Sequence, residues 1–487
     1  MNCRGLVSMS NLTQKQYLIL DLGSQHTKAG YSGDGYPRFI LPSVLGYRGN
    51  PKTSNEDPLI AYDAIYASEK EKINLVYPFE EKSRAEWDWK TAKELISSLI
   101  TQLSVNPKQY NVIYIEPIHS NPNNTRRLVD LLEKKLQFQK VITYKQPHLI
   151  LQELNVKSGL VIELGHSLSS VVAYYKGYEM VDTIQYFDVG GKIISEEFRN
   201  DIRYQIVQEV SLFDLGRIID KYFYMAEDFD QEVEDYDRGK LRDYQTNLPL
   251  SGKTIEITRK RFTIPEGLFK PFLLKVDVER GFSEILKEAI LACPTDTRAE
   301  ILENVIISGG LSKLRGLDHR IKKEIQKMFP NLEINVLKHQ KPEATAWIGA
   351  DTLCSKGIPD SYFSHKRHLN YKLPAVLQQM YTEAVECESA KLWLASITMV
   401  EKALDALLQD INTKLTTKLT KLTFFLALRE QEIISDEAYK WSQNLRVIKN
   451  WDSLIILSNT NRQEVSDSLD FMQLVLDIIY KPEQKPY

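Results

Sequence analysis

The segment whose residues are best suited to chemistry is Leu18–Gly35, in which an apolar run ends in an acid and is followed by a glycine turn. Its functional candidates are Asp21, Gly23, Ser24 and Lys28. The pattern predicts a strand, a tight turn and a second strand, with backbone N–H groups around phosphate oxygens. The aspartate could hold Mg²⁺ through water, and the lysine could place a positive charge on the β- and γ-phosphates. An ordinary hairpin explains this segment alone about equally well.

A second segment, Gly159–Ser170, repeats the arrangement: an apolar strand, an acid at Glu163, then Gly165 and small residues. Two such hairpins facing each other across a cleft could hold a triphosphate from both sides, which one hairpin cannot do. The pair is therefore more specific than either member. For Glu163 itself, a link to a metal ion is slightly favoured over a purely structural carboxylate.

A third segment, Asn304–Gly316, places Gly309 and Gly310 after a buried strand and before a helix. A flat adenine could lie there against backbone, since no side chain stands in the way. The sequence has no GxxxxGK[ST] loop, so a P-loop fold does not explain these features.

Composition limits the class of protein. The chain has 487 residues, 43% of them hydrophobic and 26% charged, with a net charge of −3. These values are typical of soluble globular proteins and give no reason to expect a nucleic-acid partner. The four cysteines are far apart, which argues against a metal knuckle or redox pair. With no apolar run long enough for a signal peptide or a membrane span, we expect a cytoplasmic protein.

The elements that must position these loops alternate between short apolar strands and amphipathic helices. This alternation predicts an α/β domain over 15–356. Residues 357–372 contain helix breakers and scattered aromatics, which favours a linker. Residues 373–487 have helical periodicity only and predict a helical bundle.

Over about 17–355 the sequence resembles actin and the actin-related proteins. The resemblance is carried by LDLGSQHTKAGYSGDGYPRFILPSVLG, FDVGGKII, KRFTIPEGLFKPFLL and ATAWIGADTL. These pieces are closer to actin than to the sugar kinases or chaperone ATPases that share its fold. The resemblance implies two similar α/β lobes around a nucleotide cleft, with ATP (GTP as an alternative) and Mg²⁺ as cofactors. Its usual consequence is ATP-coupled assembly into filaments.

The same resemblance assigns roles to individual residues. Gln146 would position the attacking water, and Asp21 and Glu163 would hold Mg²⁺ through water. The nucleotide-binding residues would be Gly23, Ser24, Lys28, Gly165, Ser167, Leu168, Gly191, Asp220, Gly309, Gly310, Lys313 and Leu314.

The sequence departs from actin where hydrolysis is organised. Glu163 stands in place of an aspartate, His166 replaces a second aspartate, and Ser170 replaces the histidine that helps to arrange the water. Because such groups typically contribute 10²–10⁴ in rate, we expect at most weak ATPase activity. We interpret His166 as a solvated residue at the mouth of the cleft rather than a catalytic one. Adenine preference should also be weaker, because the side chains differ from actin at Ile219, Lys313, Leu314 and Glu343.

The C-terminal segment Met380–Tyr480 is similar to a bacterial helical domain related to HEPN domains. Arg446 and Asn450 match its motif, but Leu454 occupies the expected histidine position, so RNase activity is not expected. The segment should instead bind a protein partner or another copy of the chain. Two functions remain open: a filament-forming actin homologue, and a non-polymerising subunit that holds its nucleotide statically.

Overall fold

The computed structural model describes residues 17–51, 56–68, 70–79, 86–206, 210, 212–249, 252–274, 276 and 278–357. The predicted helical bundle at 373–487, and the predicted linker apart from Gly357, lie outside the described residues.

The strands are, in chain order, β1 (Tyr17–Leu22), β2 (His26–Tyr31), β3 (Phe39–Pro42), β4 (Leu45–Tyr47), β5 (Leu59–Ile60), β6 (Asn74–Val76), β7 (Asn111–Glu116), β8 (Val141–Lys145), β9 (Gly159–Leu164), β10 (Ser169–Tyr175), β11 (Tyr178–Phe187), β12 (Tyr244–Asn247), β13 (Thr254–Ile257), β14 (Val305–Ser308) and β15 (Val336–Lys338). The α-helices are α1 (Tyr62–Ser68), α2 (Trp89–Gln102), α3 (Pro122–Asp130), α4 (Gln146–Leu154), α5 (Gly191–Ile202), α6 (Leu212–Tyr222), α7 (Phe229–Asp237), α8 (Lys260–Glu266), α9 (Phe282–Ala292), α10 (Arg298–Leu302), α11 (Leu317–Met328) and α12 (Thr345–Lys356). Short helical turns lie at Pro107–Gln109, Leu131–Lys135, Pro271–Leu273 and Gly310–Lys313.

The first large sheet has the strand order β3-β2-β1-β7-β8. Strand β1 pairs antiparallel with β2 and parallel with β7, which in turn pairs parallel with β8. Every residue of β1 is buried, as expected for a central strand covered on both faces. On one face Leu18 and Leu20 share a core cluster with Leu95 and Leu99 of α2 and Leu128 of α3.

The second large sheet repeats this topology, with the order β11-β10-β9-β14-β15. Strand β9 pairs antiparallel with β10 and parallel with β14, which pairs parallel with β15. Its central strand is again fully buried. The two sheets thus have the same strand order and the same directions, and the predicted α/β fold with duplicated lobes is confirmed.

The chain passes between the two sheets twice. It leaves the first sheet through α4, which follows β8, and returns after β15 into α12, which packs on α4, β1 and β7. The side chain of Trp347 is fully buried, and its Nε1 donates to Ile19 O at 3.2 Å. The Asp351 carboxylate accepts from the backbone of Gly33 and Gly35 at 2.5 and 3.0 Å. These contacts fix α12 against the β1–β2 hairpin.

Two smaller sheets complete the described part: β5-β4-β6, which packs with α1, and the β12-β13 hairpin. Among the described residues, the helices are too short or too polar to cross a lipid bilayer.

Candidate functional site

The first candidate loop is the turn between β1 and β2, formed by Gly23, Ser24 and Gln25. Gly23 N donates to His26 O at 3.2 Å, and its own carbonyl accepts from Ser43 Oγ at 2.7 Å. A Cβ at Gly23 would lie 2.8 Å from His26 O, closer than side chains tolerate. The glycine is therefore required for the tightness of the turn, and this part of the sequence prediction has a clear local cause.

Asp21 and Lys28 lie side by side at the base of this turn. They are directly paired across β1 and β2, and Lys28 Nζ donates to Asp21 Oδ2 at 2.7 Å. Their side chains are only 8% and 12% exposed, so both charges are nearly removed from solvent. Such a pair presents one positive and one negative group together, which suits a ligand made of phosphate and a divalent cation.

The second candidate loop joins β9 to β10 through Gly165, His166, Ser167 and Leu168. A Cβ at Gly165 would lie 2.5 Å from Leu168 O, so this turn is as tight as the first. The carbonyls of Gly165 and His166 accept from the first two N–H groups of α5, at 3.0 and 2.8 Å. The hydroxyl of Ser167 is buried and has no hydrogen-bond partner among the described residues.

Glu163 lies near the end of β9 and is only 7% exposed. Burial, and then the charge of Asp21, raise the pKa of Glu163 to about 8, while a hydrogen bond from Ser170 opposes the shift. The carboxyls of the two hairpins therefore interact with each other. Glu163 Oε1 is buried without a hydrogen-bond partner in the described structure. An unpartnered carboxylate oxygen beside a second acid fits a hydrated divalent cation, whose charge would favour the ionised form of both.

The glycine pair after β14 has the geometry expected for a ring resting on backbone. Gly309 has φ +92° and a Cβ there would collide with Leu164 O, so glycine is required. Gly310 N begins a short helical turn, and the space that its Cβ would enter is open, with nothing within 4 Å. A flat base could approach the main chain at this point.

Charged groups surround that glycine pair. Lys313 Nζ lies 3.1 Å from Asp220 Oδ2 of α6, and both side chains are partly exposed. The hydroxyl of Tyr36 is hydrogen-bonded to Glu343, and burial together with that carboxylate raises the pKa of Tyr36. Lys341 Nζ lies 3.8 Å above the Tyr36 ring. Lys313 and Glu343, two side chains that we expect to differ from actin, therefore each have a polar partner in this protein.

The remaining candidates have simpler positions. Gln146 is the half-buried first residue of α4, directly after β8, and Gly191 is the first residue of α5. Leu168 is buried, so a ligand would meet its backbone only. Leu314 and Ile219 are buried in the core cluster of the second sheet.

The two turns also bring together His26 and His166, of which the sequence interpretation considered only the second. His166 is half-buried, and burial lowers its pKa to about 4. The pKa of His26 is lowered to about 3 by burial and then by Lys28, His166 and Lys313. His26 was missed because Lys313 and His166 are distant in sequence. The available signal was its position, directly after a turn predicted to surround phosphate.

The comparisons with known proteins agree with this architecture. The family model described as Actin matches residues 12–235 and 215–366. Centractin from Schizosaccharomyces pombe is 25% identical over 360 residues, covering 72% of this chain and 93% of that relative. Actin-like protein 9 from Rattus norvegicus is 23% identical over 359 residues, covering 72% of this chain and 85% of the relative. With two topologically identical sheets, each with a glycine hairpin, and a family match over most of its length, this chain belongs to the actin family.

Proposed function

We propose that this chain is an actin-related protein that binds a Mg²⁺–purine triphosphate between its two glycine hairpins and assembles into filaments. The observation that carries the proposal is the equivalent placement of two acids, Asp21 next to last in β1 and Glu163 next to last in β9, each directly before a glycine turn. The same two segments belong to topologically equivalent strand pairs, β1–β2 and β9–β10. ATP is the nucleotide that family membership favours, and GTP is the alternative.

In this proposal the backbone of the two turns holds the phosphates. Gly23, Ser24, Gly165 and Ser167 supply N–H groups, and the unpartnered Ser167 hydroxyl supplies a further donor. Lys28 contributes a positive charge from the base of the first turn. A bound magnesium ion would neutralise phosphate charge.

Two carboxyls would hold that ion through its water molecules. Asp21 would be ready for this role once Lys28 turns toward phosphate. Burial and Asp21 raise the pKa of Glu163 to about 8, so the cation would have to displace a proton from it at neutral pH. Cation binding and ionisation of Glu163 should therefore be coupled.

Hydrolysis is expected to be slow even where binding is tight. Gln146 remains as the proposed water-positioning residue, but Ser170 is buried and its hydroxyl is engaged with Glu163. A serine hydroxyl held in this way does not replace an imidazole as a proton acceptor. The presence of Ser170 in place of the expected histidine also favours the second candidate function. In that function the chain is a non-polymerising actin-related subunit that keeps its nucleotide as a static part of the fold.

The C-terminal segment at 373–487 is assigned to partner or self association. This assignment, and the division into a nucleotide-binding domain at 15–356 and a linker at 357–372, depend on the sequence patterns alone.

Binding, sedimentation and phosphate release measured in parallel would test the proposal. Purified full-length protein is titrated with fluorescent ATP and GTP analogues, with Mg²⁺ and with EDTA. It is then centrifuged with each nucleotide while phosphate is followed. We expect Mg²⁺-dependent binding and a nucleotide-dependent pellet with little phosphate release. Tight binding without a pellet supports the static subunit, and the absence of binding under every condition rejects both functions.

A further inference from the structure

His26 and His166 lie at the two turns that are proposed to hold phosphate. His26 is the first residue of β2, immediately after the first turn, and Gly23 N donates to its carbonyl. His166 is the second residue of the other turn. The two side chains are close enough for the charge of one to act on the other. Each hairpin therefore carries one side chain that can bind a proton.

The surroundings lower the pKa of both imidazoles. Burial is the main cause for each, and for His26 the positive charges of Lys28, His166 and Lys313 add to it. The negative groups of the cleft are already engaged. Asp21 is paired with Lys28, Asp220 with Lys313, and the Glu163 carboxyl has a raised pKa.

We propose that His26 and His166 bind the phosphates of the nucleotide and that each takes up a proton from solvent when the nucleotide enters. This inference depends on the proposed nucleotide-binding function and adds two residues and a proton to it. A triphosphate brings several negative charges into a buried space, where an imidazolium N–H to a phosphate oxygen is a strong, charge-assisted hydrogen bond. Phosphate would also offset the charges of Lys28 and Lys313, which otherwise disfavour protonation of His26.

The sign of the pH dependence follows from proton uptake. When a ligand binds together with protons, its affinity falls as the pH rises through the pKa values of the bound complex. The change is about tenfold per pH unit for each proton taken up. Protonation of the ligand's own terminal phosphate acts in the opposite direction, because it removes a negative charge as the pH falls. Release of the Glu163 proton on cation binding also acts in that opposite direction. The histidines are therefore identified by the difference in slope between the wild type and the histidine variants.

Calorimetry measures the proton directly. Full-length protein is titrated with Mg²⁺ and a non-hydrolysable ATP analogue at one pH in PIPES and in Tris, whose heats of ionisation differ. The difference in observed heat gives the number of protons taken up. The variants are His26→Asn, His166→Asn and the double substitution, each of which keeps a polar side chain that does not titrate. His319→Asn is the matched control, because His319 is exposed on α11.

We expect each single variant to take up fewer protons than the wild type, and the double variant up to two fewer, with an affinity that changes less with pH. His319→Asn should match the wild type. Equal proton uptake in the wild type and the double variant would overturn the inference while leaving nucleotide binding in place. If the double variant does not fold, the two single variants decide, because proton uptake equal to that of the wild type in both of them would also overturn the inference. An absence of binding heat in every titration rejects the proposed function and this inference together.

Discussion

Asp21 is the residue on which metal-dependent binding should depend most. Its carboxylate lies 2.7 Å from Lys28 Nζ at the base of the first turn. Asp21→Asn keeps the shape but removes the charge, so the affinity for Mg²⁺–nucleotide should fall by at least about tenfold, an effect of about 1.4 kcal/mol. It should also lower the free energy of unfolding by about 1–3 kcal/mol, because a largely buried lysine loses its charged partner.

The two effects of Asp21→Asn are measured separately, by nucleotide titration with Mg²⁺ and with EDTA and by urea unfolding of the empty protein. Asp63→Asn is the control, since Asp63 is exposed on α1. An unchanged Mg²⁺-dependent affinity in Asp21→Asn would remove this carboxylate from the site.

Glu163 predicts an unusual dependence of stability on pH. Its pKa is raised from 4.5 to about 8 in the folded protein, first by burial and then by Asp21. Between these values the folded state keeps a proton that the unfolded state has lost, so the free energy of unfolding should fall as the pH rises. The slope is roughly 1.4 kcal/mol per pH unit from this group, levelling off above pH 8.

Urea unfolding in EDTA without nucleotide, from pH 5 to pH 9, measures this slope. Glu163→Gln cannot ionise and should have a flatter profile than the wild type across the same range. Parallel profiles for the two proteins would mean that Glu163 is ionised at neutral pH in the empty cleft.

At the scale of elements, the close contact of α12 with α4 depends on one glycine. A Cβ at Gly349 would collide with Leu149 O of α4, and the neighbouring Trp347 is fully buried. Gly349→Ala should therefore destabilise the protein by about 1–3 kcal/mol. This outcome is informative because alanine is favoured over glycine within a helix by about 1 kcal/mol, which acts in the opposite direction.

Thermal and urea unfolding of Gly349→Ala would be compared with Ser355→Ala, an exposed substitution on the same helix. We expect Ser355→Ala to remain close to the wild type. A Gly349→Ala protein that is more stable than the wild type would show that α12 and α4 separate at little cost.

The sequence predicts turns that depend on neighbouring residues, but it does not predict contacts between residues that are far apart in the chain. Gly23 and Gly165 were predicted because each determines its own turn, and both turns are as tight as expected. The parallel pairing of β9 with β14 joins segments far apart in the chain, so no local pattern could reveal it. His26 was missed for the same reason, because the charges that act on it come from Lys313 and His166 as well as from its own strand.

For the whole molecule, the two-lobed fold was predicted by resemblance rather than by periodicity. Apolar runs at β1 and β9 indicate central strands, but nothing in their composition shows that the two sheets repeat one topology. The actin-like motifs supplied that information, and the family match over 12–366 agrees with it. The roles of individual residues do not follow from the fold, because similar glycine hairpins also occur where no phosphate binds.

The actin-like part of the chain should fold without the C-terminal segment. The match to Centractin includes 93% of that relative but 72% of this chain, and the family match ends at residue 366. The described residues between 17 and 357 contain both sheets and the α12 helix that fixes the β1–β2 hairpin. A protein ending at residue 372 should therefore unfold cooperatively and bind nucleotide with an affinity close to that of the full chain. Calorimetric melting and nucleotide titration of the two proteins would measure this, and sedimentation would show whether residues 373–487 contribute to assembly. A shortened protein that melts without a cooperative transition would mean that the actin-like part needs the C-terminal segment in order to fold.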